Sequence, residues 1–293
     1  MGANFWWIFD IITVVVLVFC VSRCAKKGFS KMIVTAIGCV ISLVVAWFAS
    51  RYSADMVYDN FLKKNNIEAV KTAIEDYKPE EAVKNIIESN DLSGVLTTNT
   101  IKSILSGKNS ISILYEYANS EAGNMLGTPE SFKSELINGF AKNFATQVGV
   151  SLPPYVVHEI TSHVSDNEEL FISTINMLMK TPDKVPEYIE ENYIRAPAKK
   201  IVGASVFLII FFVLMTIILI VSSRSPEFGL LNGYDKLDRI SGGLMGFIEG
   251  IAVIMIIAEG VYIMVNISES ENSFISLKTV ENTLIFRHFY KFL

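Results

Sequence analysis

The sequence predicts an all-α integral membrane protein: four transmembrane helices in two hairpins, with a helical extracytoplasmic domain inserted between helices 2 and 3. Three observations predict it. Apolar residues gather in four runs, at about 5–21, 32–49, 201–221 and 243–265. Residues 51–199 between them turn abruptly charged, with acids outnumbering bases. Sustained alternation of period two, the mark of a half-buried strand, is absent. Only 19% of the 293 residues are charged and 51% are hydrophobic, with a mean hydropathy of +0.40. Soluble domains carry about 25% charged residues, so the deficit is what lipid-facing segments would produce.

The chain therefore reads as a first hairpin (1–50), an outer domain (51–199), a second hairpin (200–266) and a tail (267–293). A hydrocarbon core of about 30 Å needs roughly 20 helical residues. The third run, "IVGASVFLIIFFVLMTIILIVSS", meets this without a charge. The first two are shorter and have aromatic or charged ends suited to an interface. Basic residues follow the first run rather than precede it, and no small-residue cleavage site comes after, so an uncleaved anchor is expected.

Orientation follows from the short connections. "SRCAKKGFSK" holds Arg23, Lys26, Lys27 and Lys31 and no acid, and short basic loops stay cytoplasmic. Both termini and the 51–199 domain are then extracytoplasmic, in a cell (plasma) membrane crossed several times. Trp6 and Trp7 open the first span and Trp47 closes the second, which puts all three indoles at one outer interface. The three cysteines, Cys20, Cys24 and Cys39, all fall in the first hairpin, so the outer domain has no disulfide framework.

Helix signals recur through 51–199. Ile67, Val70, Ile74 and Tyr77 form one apolar stripe. Thr128 is placed to cap a helix with Pro129 at its first position and Phe132, Leu136, Phe140 and Phe144 on one face. Phe171, Ile175, Leu178 and Met179 repeat the pattern, and Thr181-Pro182 marks another start. About six helices are expected. "HEITSH", from His158 to His163, is one residue longer than the zinc-protease motif. Histidines at i and i+5 lie about 140° apart on a helix, so they cannot share one ion from a regular helix. No nucleophile elbow or phosphate-binding loop is present. The reading is a non-enzyme with no cofactor, no metal site and no nucleic-acid partner.

The fourth span poses the sharpest question. In "LDRISGGLMGFIEGIAVIMIIAEG", Gly242, Gly246 and Gly250 recur every four residues and form one stripe. Small residues in such a stripe let a second backbone approach closely, here another span of this chain or else a second subunit. Glu249 and Glu259 sit within the same span and Asp10 just inside the first. An ionisable residue inside a span is a functional hypothesis by default. In the tail, a projection from Lys278 puts Ile285, Phe286, Phe289, Phe292 and Leu293 on one side and Arg287, His288 and Lys291 on the other. That predicts a helix in the outer interface, with packing on the outer domain as the alternative.

These segments resemble the colicin V production protein family (CvpA). The first hairpin, "FDIITVVVLV" followed by "KKGFSKMIVTAIGCVISLVVAWFAS", is similar to that family's start. "LDRISGGLMGFIEG" resembles its Leu-Asp-Arg and triple-glycine signature at Asp238, Arg239, Gly242, Gly246 and Gly250. The tail "SFISLKTVENTLIFRHFYKFL" is similar to the family's ending. The likeness covers 1–50 and 200–293. Glu249 departs from it, since members commonly have a basic residue before the third glycine, as does the long outer domain. The resemblance implies a bacterial membrane scaffold with a role in toxin (colicin V-like bacteriocin) production or secretion, or in envelope maintenance. Expected partners are the lipid bilayer and either further copies of the chain or an envelope or secretion protein. The rival reading is a small oligomeric channel or transporter that uses Glu249 and Glu259.

Single cysteines introduced at Ser53 and Ser276 are expected to react with an impermeant reagent added outside intact cells, and one at Ser225 to be protected. Protection of Ser53 and Ser276 with labelling of Ser225 would invert the topology.

Overall fold

The computed structural model describes residues 5–89, 96–107, 109–123, 126–150, 152–162, 168–224, 235–267 and 275–292. Every regular element among them is helical. Four helices are long and apolar enough to cross a membrane, and the chain divides into two compact units, 1–58 with 199–293, and 59–198. Ser225, His163 and Leu293 lie outside the described residues, as does the side chain of His158.

In the first unit, α1 (Trp7–Lys27) and α2 (Phe29–Val57) are separated by Gly28 alone. The expected basic loop is therefore largely helix: Lys26 and Lys27 occupy the last turn of α1, where they complement the negative end of the helix dipole. Gly28 has φ +81°, a conformation that L side chains seldom adopt. Its N–H closes α1 by donating to the Cys24 carbonyl (2.9 Å). Trp7 begins α1 about 20 residues before this turn, and Trp47 lies about 20 after it, so both indoles reach the same end of the pair. Trp7 and Trp47 are exposed and Trp6 is half-buried; the Arg51 guanidinium stacks 3.9 Å from the Trp47 ring.

α11 (Arg195–Arg224) and α12 (Asp235–Ile267) supply the other two long helices. α12 is central. It packs along the length of α1 and against α2. α11 joins through Phe207 and Phe211, which meet Cys39 and Ala46 of α2 and Ala252 of α12. A Thr35–Ser222 hydroxyl pair (2.9 Å) ties α2 to α11, and Lys199 pairs with Asp55 (2.5 Å).

The tail is where expectation and structure part. It forms two short helices, α13 (Leu277–Glu281) and α14 (Phe286–Tyr290), rather than one amphipathic helix. Its buried side packs within the first unit. Val280 and Phe286 join Phe9 of α1 and Ile254, Ala258 and Val261 of α12 in one apolar cluster, with Phe286 stacked on Phe9 at 5.1 Å. The Asp10 carboxylate explains the break. It accepts backbone N–H groups from Leu284 (2.8 Å), Ile285 (2.9 Å) and Phe286 (3.0 Å), satisfying donors that open α14. Ile285 and Phe292 then point outward with Lys291 and His288, while Arg287 is half-buried. Ser276 caps α13 through the Thr279 N–H and is buried. The neighbouring exposed Lys278 is thus the better labelling position in the tail.

The second unit is built from eight α-helices among the described residues, more than the six read from periodicity. They are α3 (Lys63–Ile74), α4 (Pro79–Glu88), α5 (Thr98–Leu105), α6 (Ser110–Glu121), α7 (Pro129–Gly149), α8 (Pro154–Ser162), α9 (Glu168–Lys180) and α10 (Val185–Ile189). α7 is its spine: Phe132, Leu136, Phe140 and Phe144 are all buried. Thr128 caps it, its hydroxyl accepting from the Ser131 N–H (3.2 Å). Thr181 makes no such bond, and Pro182–Lys184 is a single 3-10 turn. Tyr77 packs edge-on to Phe140 and Phe144 and donates to Asn143 (2.9 Å); burial pushes its phenol up. Arg195 pairs with Asp59 through both carboxylate oxygens (3.2 and 3.3 Å).

Replacing Asp10 by Ala removes a charged acceptor from three amides and is expected to cost the docked tail about 1–3 kcal/mol. Hydrogen exchange at Leu284, Ile285 and Phe286 should accelerate in the variant. Unchanged exchange would show that the carboxylate does not hold the tail.

Candidate functional site

α12 holds most of the residues singled out by the sequence, and three of its faces do different work. At about 100° per residue, Gly242, Gly246 and Gly250 lie on one side. Ile254, Ala258 and Val261 lie on the next and pack on Phe9 and the tail. Ala252 and Ile256 lie on a third, which meets α2 and α11.

The glycine face receives α1 of the same chain. A Cβ built on Gly246 would lie 2.5 Å from the Cys20 carbonyl oxygen and 2.8 Å from the Cα of Val21; one on Gly242 would lie 2.7 Å from the Cys24 carbonyl oxygen. All three distances are too short for real atoms, and the obstacles are backbone. Gly250 is less strict, with its nearest obstacle the Leu17 side chain at 3.0 Å. Gly243, off the stripe, would meet only side-chain carbons at 3.7 and 3.8 Å. The stripe thus sets how closely two backbones pack, which in lipid substitutes for the missing hydrophobic drive between helices.

Asp238 locks the same pair from the turn end. One of its carboxylate oxygens accepts both the backbone N–H (3.1 Å) and the hydroxyl (3.1 Å) of Ser30. Ser30 is the second residue of α2, so Asp238 caps that helix from a distant part of the chain. A Cβ on Gly28 would fall on this carboxylate. Gly28 is therefore required twice, for its positive φ and for the space Asp238 occupies. Arg239 faces outward in a shallow depression with Val21, Ala25 and Gly243.

The two glutamates have different surroundings. Glu249 is buried but partnered: the Cys24 thiol donates to its Oε2 (3.1 Å), and the Arg23 guanidinium lies 3.7 Å from its Oε1. Arg23, read from the sequence as a topology signal, is thus also a counter-charge. Glu259 is 9% exposed and makes no hydrogen bond or ion pair with a described residue. The Ser42 hydroxyl of α2 is likewise buried, at 1% exposure, and has no hydrogen-bond partner among the described residues. Nothing in the local pattern around Ser42 distinguished it as a sequence feature. Among the described residues, no group of three His, Cys, Asp or Glu side chains is placed to hold a metal ion.

Comparison of the chain with protein families, with curated proteins and with solved structures finds no match.

Gly246→Leu is expected to destabilise the bundle by more than the 1–3 kcal/mol typical of overpacking, because backbone rather than side chain must move. Gly243→Leu should be tolerated. Yield in membranes and thermal stability in detergent compare the two variants, and equal behaviour would mean that the stripe is not a packing constraint.

Proposed function

We propose that the protein is a non-enzymatic scaffold of the bacterial cell membrane, of the colicin V production type. On this reading it acts in bacteriocin production or secretion, or in envelope maintenance. The four helices form two hairpins with N- and C-termini outside, and the 59–198 unit is an extracytoplasmic domain that contacts an envelope or secretion partner. One observation supports the reading above others. The residues shared with that family's signature answer one another: Asp238 caps the helix that follows Gly28, while Gly242 and Gly246 admit the α1 backbone. A motif used wholly in packing and capping suits a rigid support. The orientation rests on Arg23, Lys26, Lys27 and Lys31 around Gly28, in a short connection without an acid.

Deleting the chain in its native cell should lower bacteriocin release or raise sensitivity to envelope stress. A photo-crosslinking residue at Val150, which is 83% exposed, should join the domain to one envelope protein in living cells. No change on deletion, together with no crosslink, would dismiss the scaffold.

A second reading, a small oligomeric channel or transporter, is favoured by the burial of Glu249 and Glu259 inside the bundle. Ion flux through the reconstituted protein, lost on Glu→Gln change at either position, would support it, and vesicles no leakier than protein-free ones would exclude it.

A further inference from the structure

Projection down α12 places Ala252 and Ile256 between Glu249 and Glu259, so Glu259 flanks the face turned to α2 and α11, while Glu249, at its other edge, reaches Arg23 and Cys24 of α1. On α2 the facing residues include Cys39 and Ala46, and Ser42 lies between them along the same helix. Glu259, 9% exposed as a residue, and the Ser42 hydroxyl, 1% exposed, are the two polar groups of this part of the bundle that have no hydrogen-bond partner among the described residues. Buried polar groups are nearly always satisfied, and exceptions call for an explanation. Glu249, ten residues away, needs none, because Arg23 and Cys24 satisfy it.

We propose that the side of α12 turned to α2 and α11 carries a proton-binding site centred on Glu259. The carboxyl takes a proton on one oxygen and releases it to water from the same group, so nothing but a proton is exchanged. A metal ion suits the site poorly, since among the described residues no group of three His, Cys, Asp or Glu side chains includes Glu259.

No charge on the packed elements competes for Glu259. At this end of the bundle α1 presents Asp10, held by the tail amides, and α2 presents Arg51, stacked on Trp47, Tyr52, and Asp55, paired with Lys199 of α11. α11 also carries Lys200. The tail presents Glu281, Arg287, His288, Tyr290 and Lys291, with Tyr290 against Tyr262 of α12 at 5.9 Å. None forms a hydrogen bond or ion pair with Glu259. The inference deepens the channel reading by naming one carboxyl and one ligand, and it rests on that reading only where flux is concerned.

The test is infrared spectroscopy of the full chain in phospholipid vesicles, titrated with pH in light and heavy water. The C=O stretch of a neutral carboxylic acid, shifted in heavy water, should be present in the native protein and in Glu249→Gln, and absent in Glu259→Gln. Glu259→Asp should move the band rather than remove it, which separates loss of the site from loss of the fold. A band missing from the native protein, or unchanged in Glu259→Gln, overturns the proposal. Dissipation of an imposed pH gradient in the same vesicles tests the other question. If the band behaves as expected while native vesicles hold the gradient, the proton site stands and the channel reading falls.

Discussion

The approach of the α12 backbone to that of α1 is the constraint from which the first unit follows. At Gly242 and Gly246 there is no room for a single carbon beyond Cα, so the two helices lie in contact along their main chains. Lipid chains are as apolar as leucine, so helices in a membrane gain little from burying apolar side chains against one another and depend on close van der Waals contact instead. Once α12 is seated on α1, its other faces are committed. One receives Phe9 and the tail, and the other receives α2 with Phe207 and Phe211 of α11.

Two carboxylates fasten the ends of this packed pair by the same means. Asp238 accepts the backbone N–H and hydroxyl of Ser30 at the start of α2, and Asp10 accepts the N–H groups that open α14. In each case a helix start finds its cap on a residue more than 200 positions away along the chain. Neither acid is a solvated surface charge. A third, Glu249, is tied to Arg23 and Cys24. Glu259 alone of the four acids has no such partner among the described residues, and that difference gives the two glutamates of α12 different surroundings despite their shared helix and similar burial.

Much of this was legible in the residues. The four long helices follow from apolar runs of sufficient length, and the buried face of α7 follows from aromatic residues spaced by four. The spacing of the glycines identified a packing face because a helix repeats regularly enough for such a stripe to be read. The tail was misread for a related reason. Projection assumes an unbroken helix, and nothing local in "ENTLIFRHF" announces that Asp10 will take three of its amides. The count of helices in the 59–198 unit fell short because α5, with 8 residues, and α10, with 5, are too short to show a period.

The sequence by itself determined the membrane-length helices, the helical class of the outer segment and the presence of a stripe fit for close packing. These depend on composition and on periodicity within one segment. Only the tertiary structure decided that α1 fills the stripe, that Asp238 and Gly28 occupy one another's space, and that Arg23 offsets Glu249 while Glu259 has no partner among the described residues. Those are meetings of residues far apart in the chain, and a capping bond or a counter-charge depends on where a group is placed in space. Neighbours along the chain do not record that placement.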